Sequence, residues 1–100
     1  MVTFKRGVLF YASDANLTIK EAGRRACDSV GKDCVVTSGR DGKHGKNSKH
    51  YTDEALDFRI WNLGGEENIM LVVDALKDLL GDDYDVVLEP DHIHAEYDPK

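Results

Sequence analysis

Four histidines, His44, His50, His92 and His94, are the side chains of this sequence best suited to chemistry. None falls in a stretch that reads as helix. Each sits in or beside a loop or a strand end, with carboxylates close in sequence. Asp53 and Asp57 lie near His50, and Glu89, Asp91 and Glu96 surround His92 and His94. Imidazole is the commonest protein ligand for metals. Two histidines and one carboxylate with an open fourth position make a catalytic zinc arrangement, and zinc suits a nitrogen and oxygen set without thiolate. The histidines alone leave the matter open, because a His-x-His pair fits a ligand strand and an ordinary strand equally well.

The residues around them are more specific. Ser48-Lys49-His50-Tyr51-Thr52-Asp53-Glu54-Ala55-Leu56-Asp57 resembles the Ser-x-His-x-x-Gly-x-Ala-x-Asp signature of the zinc D-Ala-D-Ala peptidases, shared by hedgehog signalling domains and some phage endolysins. Asp91-His92-Ile93-His94 resembles the third-ligand strand of that superfamily, where a carboxylate stands three residues before the ligand histidine. His44, six residues before His50, resembles the histidine-bearing loop of the hedgehog branch. The resemblance spans Thr37 to Pro99.

It implies one zinc ion per chain, held by His50, Asp57 and His94. It also implies a catalytic carboxylate at Asp91, with Glu89 as the rival because hedgehog domains place a glutamate upstream of the same His-x-His. On a regular strand Asp91 points away from His94, but Pro90 can break that regularity and turn Asp91 toward the metal. His92 shares a strand face with His94. The resemblance implies that it orients substrate or stabilises an oxyanion, while a histidine that only hydrogen-bonds a ligand fits nearly as well. Arg40, in Thr37-Ser38-Gly39-Arg40, resembles an arginine that anchors a substrate carboxylate, and an exposed loop arginine is the equal alternative. Ser48 of the signature is the other expected substrate contact. The signature glycine is Asp53 here. If that position needs a positive φ, aspartate is among the least costly replacements.

The function implied is zinc-dependent hydrolysis of an amide bond in peptidoglycan stem peptides, of carboxypeptidase or endolysin type. The alternative is a non-catalytic zinc-binding module like the hedgehog domains.

These residues need a scaffold. Ile19, Ala22, Ala26 and Val30 recur at helical spacing, which predicts a helix over Leu17 to Val30 with Gly31 as its stop. Cys34-Val35-Val36 reads as a short strand, and Thr37 to Lys49 as a long polar loop. Ala55 to Trp61 alternates, with Asp57 on one face and Leu56 and Phe58 on the other, as a strand does. Ile69, Val72, Val73, Leu76, Leu79 and Leu80 form one stripe, so Glu66 to Leu80 reads as a helix. Glu66 and Glu67 complement its dipole and Gly81 closes it. Tyr84 to Leu88 and His92 to Tyr97 read as strands on either side of Pro90. Without βαβ alternation, the order predicts an α+β fold with two main helices and a small, largely antiparallel sheet, as the resemblance also implies.

A chain of 100 residues fits a single domain over 1–100. A formal net charge of −6 argues against nucleic acid as partner, since phosphate binding needs clustered cations. The mild basic cluster from Arg40 to Lys49 reads as a solvated loop. No apolar run is long enough for a membrane span, and the opening segment is too short and polar for a signal peptide. The expectation is a monomer made in the cytosol that acts on peptidoglycan peptides after release, as a phage-encoded enzyme does. Cys27 and Cys34 lack paired zinc-finger spacing and read as free buried thiols.

Overall fold

Apolar residues at helical spacing and at alternate positions divide the chain into two helices and five strands in the computed structural model, which describes residues 1–42 and 44–99. Lys43, in the polar loop, and Lys100 lie outside the described residues. In chain order the elements are β1 (Val2–Phe4), α1 (Asp14–Asp28), β2 (Cys34–Ser38), β3 (Ala55–Arg59), α2 (Glu66–Leu80), β4 (Tyr84–Leu88) and β5 (His92–Tyr97), with a short 3-10 turn at Lys49–Thr52 before β3.

The fold is α+β, as expected. One sheet runs in the order β1-β2-β3-β5-β4, and β2 through β5 pair antiparallel. β1, which the sequence reading did not include, adds a parallel edge against β2, so the sheet is mixed. Three residues that are mostly exposed give too few alternations to register as a strand. Helix α1 begins at Asp14, three residues earlier than expected. Its cap is Ser13, whose Oγ accepts the Asn16 N–H at 3.0 Å.

Both helices cover one face of the sheet. Ile19, Ala22, Ala26 and Cys27 of α1 and Val72, Val73 and Leu76 of α2 pack with Val36, Leu56, Phe58 and Ile93. Leu56 and Ile93 are fully buried, and each such side chain contributes about 1.5–3 kcal/mol. Gly23 lets α1 approach β3 closely: a Cβ there would lie 2.7 Å from the Phe58 ring. Cys27 and Cys34 are free and buried in this layer, as anticipated. No helix among the described residues is long and apolar enough to cross a membrane.

Because strand side chains alternate, burying Leu56 and Phe58 under the helices turns Asp57 and Arg59 to the opposite face. Antiparallel register then sets Asp57 opposite His94, Arg59 opposite His92 and Ala55 opposite Glu96.

Candidate metal centre

His50 reaches this face from the turn before β3. Ser48 caps that turn, its Oγ accepting the His50 N–H at 3.2 Å. Asp53 ends it in the left-handed region, at φ 58° and ψ 38°, the only non-glycine among the described residues with positive φ. The chain therefore reverses tightly into β3 and lays His50 over Asp57, seven residues on. Two further bonds hold the turn. The Ser13 hydroxyl at the start of α1 donates to the Asp53 carbonyl, and the Arg40 guanidinium pairs with the Asp53 carboxylate.

Three imidazoles crowd one carboxylate oxygen. His94 Nδ1 lies 2.9 Å from Asp57 Oδ1, His50 Nε2 3.2 Å and His92 Nε2 3.7 Å. His50 is buried, and its Nδ1 has no hydrogen-bond partner. His44 stacks on the His50 ring, with centroids 3.9 Å apart and planes 13° apart. The His44 loop is tied to the turn through Tyr51, whose hydroxyl accepts the His44 N–H at 2.7 Å.

His94 has a carboxylate at each nitrogen, because Glu96 Oε1 lies 2.8 Å from Nε2. Two states satisfy that environment: a doubly protonated ring, or a ring with Nε2–H donating to Glu96 and the Nδ1 lone pair facing a cation. The hydrogen bond to Asp57, with help from Glu96 and against the cost of burial, raises the His94 pKa to about 8. Burial by itself pushes Asp57 upward. Hydrogen bonds from His50 and His94 outweigh it and hold the carboxyl well below the usual carboxylate range.

A metal ion fits the donor set. One atom each from His50, Asp57 and His94 lies within 4.8 Å of the others. Tetrahedral zinc with bonds of ~2.0–2.1 Å separates its ligands by roughly 3.3 Å, close to the two nitrogen–oxygen distances here. These three residues are the ones the sequence singled out.

The remaining expected site residues are distributed differently. Asp91, at the tip of the β4–β5 hairpin, accepts from His92 Nδ1 at 2.6 Å. It lines a recess of about 290 Å³ with Asp57, His92, Lys5, Thr37, Arg59 and Trp61. Glu89 lines another recess, with Ile60, Ile69, Met70 and Pro90. Arg40 and Ser48, both expected to touch substrate, are engaged with Asp53 and the His50 backbone. Sequence reasoning gave Glu96 no role, although its position two residues after His94 puts both on one strand face. It also passed over Lys5 and Arg59. The chain matches no protein-family model, no curated protein and no solved structure.

Proposed function

We propose that this protein is a zinc-dependent peptidase of the D-Ala-D-Ala peptidase and hedgehog type, acting on an amide bond in peptidoglycan stem peptides. The observation that carries the proposal is the convergence of His50 and His94 nitrogens on Asp57 Oδ1, beside a recess that also holds Asp91. His50, Asp57 and His94 would hold the ion. Bound zinc polarises a carbonyl and makes water a stronger acid.

The protein's own groups do the rest. Asp91 accepts the proton of the attacking water and returns it to the leaving amine. His92 Nδ1–H holds the Asp91 carboxylate at the recess. Glu96 accepts a hydrogen bond from the Nε2–H of His94 and so fixes the tautomer that presents Nδ1. Asp91 is preferred over Glu89 because it shares a recess with Asp57, whereas Glu89 lines a separate one. The stem peptide as substrate, and action on the cell wall after release from a phage-infected cell, rest on the sequence resemblance.

The test is cleavage of purified muropeptides by zinc-loaded protein, read as new amines by mass spectrometry. Asp91→Asn should retain zinc and lose at least about a hundredfold in rate, while Glu89→Gln should cost much less. The reverse order would move the base to Glu89. No cleavage by wild type would leave a zinc-binding module without catalysis.

A further inference from the structure

The sheet ends on β4, and among the described residues no strand pairs with its outer edge. The backbone bonds at either end of β4 fix which groups face outward. The Glu89 N–H donates to the His92 carbonyl at 2.8 Å, and the Asp98 N–H to the Asp83 carbonyl at 2.7 Å. The N–H and C=O of one strand residue point to the same side, and the side alternates along the strand. Asp85 and Val87 therefore bond β5, as Asp83 and Glu89 do, while Tyr84, Val86 and Leu88 turn their backbone groups away from the sheet. The Tyr84 N–H is taken by the Gly81 carbonyl at 3.3 Å. The N–H groups of Val86 and Leu88 and the carbonyls of all three residues remain for a partner. Natural sheet edges are guarded by lysine, proline, a bulge or shortness. The opposite edge, β1, has three residues and runs into Lys5 and Arg6. β4 has no such guard: its register to β5 is unbroken over five pairs, Asp85 is its one charge, and Val87 and Leu88 are exposed.

We infer that β4 is an interface: two copies of this chain pair β4 to β4, antiparallel and centred on Val86, into one continuous sheet. The residues of the edge identify the partner as a second copy. About a two-fold axis through Val86 and perpendicular to the sheet, its outward N–H and C=O meet those of Val86 in the other copy. Each Leu88 N–H meets the Tyr84 carbonyl of the other copy. On the face under the helices Leu88 lies across from Tyr84, an aromatic–aliphatic pair that covers an exposed leucine. On the other face Val87 lies across from Asp85, so no carboxylate within the strand faces its own copy. Val87 is also the register partner of His94. The pairing therefore sets both metal clusters on one side of the joined sheet, with the two β5 strands three strand spacings, or about 14 Å, apart. The strand ends oppose association. Asp83 of one copy comes to Glu89 of the other, and each chain has a formal net charge of −6. Edge pairing over so short a strand buries little surface, so the dimer belongs to the weak, transient class, and salt strengthens it by screening those carboxylates. Such a dimer replaces the monomer expected from the sequence and forms whether or not the peptidase reading holds.

Sedimentation of the wild-type protein should show monomer at about 5 µM and a growing proportion of dimer up to about 0.5 mM. The dissociation constant should fall by at least about threefold between ~0.05 and ~0.5 M NaCl. Backbone hydrogen exchange read by NMR locates the contact. Over the same concentration range the Val86 and Leu88 amides should gain at least about fivefold in protection, whereas the Asp85 and Val87 amides, already bonded to β5, should not change. Leu88→Pro leaves β5 its full ladder, since the N–H it removes points outward, and should raise the dissociation constant at least about tenfold. Leu88→Glu, which keeps the N–H and adds a charge to the edge, should weaken pairing as well. A protein still monomeric at about 0.5 mM in ~0.5 M NaCl, or a dimer that salt weakens, would overturn the interface. So would a dimer without added protection at Val86 and Leu88, or one that persists undiminished in both Leu88 variants.

Discussion

Removing the Arg40 guanidinium strands a carboxylate in the turn that carries His50. The Asp53 side chain is 9% exposed and Arg40 is 54% exposed, so the two partners stand to lose very different amounts. The attraction itself, discounted for the solvent around Arg40, is worth about 0.2–1 kcal/mol. Leaving the nearly buried carboxylate without its donor adds about 1–3 kcal/mol. Arg40→Ala should therefore cost about 2 kcal/mol, or roughly 8–16 °C in a domain of this size. Asp53→Gly removes the same ion pair but leaves the cation in water, and it relieves a left-handed residue. Relief of up to ~1 kcal/mol is offset by glycine's larger loss of backbone freedom, so the net cost should stay below about 1 kcal/mol. The double variant should then match Asp53→Gly. Urea unfolding of the metal-free protein measures all three. If Asp53→Gly costs more than Arg40→Ala, or the double variant is worse than either, Arg40 does not act through Asp53. A carboxylate-anchoring Arg40 would instead leave stability unchanged and impair cleavage of peptides with a free C-terminus.

Elemental analysis should find one zinc per chain in wild type and none at stoichiometric level in His50→Ala or His94→Ala, and chelation should lower the melting temperature because binding free energy adds to folding free energy. With the His94 pKa raised to about 8, the ion must displace a proton below that value. Zinc affinity should then fall by up to about tenfold per pH unit below pH 8 and level off above it, so a flat profile would show that His94 is not a ligand. In metal-free protein the same shift stabilises the fold below the ordinary histidine value of 6.5, and the contribution is lost as pH rises through about 8, which urea midpoints can follow. Gly23→Ala gains up to ~1 kcal/mol of helix propensity, but its Cβ meets the Phe58 ring at 2.7 Å. Overpacking at ~1–3 kcal/mol should win, so a variant more stable than wild type in urea would refute the tight approach of α1 to β3.

What the sequence made legible is what short-range periodicity encodes. The apolar stripe of α2 and the residues at its ends located that helix to the residue, and β4 and β5 flank Pro90 as expected. The seven-residue step from His50 to Asp57 joins the two ends of the cluster, and aspartate at position 53 is among the few residues that tolerate the left-handed conformation found there. The parts that stayed hidden depend on contacts between distant segments. β1 is a strand only because β2, some thirty residues later, pairs with it. Arg40 reads equally as a substrate anchor or an exposed loop arginine because nothing local shows that Asp53, thirteen residues away, is folded back to meet it. Lys5 lies far from every motif and reaches the recess only through that parallel edge.

The hairpin at Pro90 makes the same point for Asp91 and Glu89. Two residues apart, they lie close together in sequence before His94, and only the positional resemblance to the peptidase carboxylate favours Asp91. The hairpin closes with the Glu89 N–H donating to the His92 carbonyl at 2.8 Å, so Pro90 and Asp91 form the tip. Freed from strand alternation, Asp91 folds back to His92 and joins the recess of Asp57, whereas Glu89 joins the apolar recess lined by Ile69 and Met70. The two carboxylates, of which the sequence resemblance favours Asp91, are thus separated by a two-residue turn, and the separation follows from Pro90 having no N–H to continue the ladder.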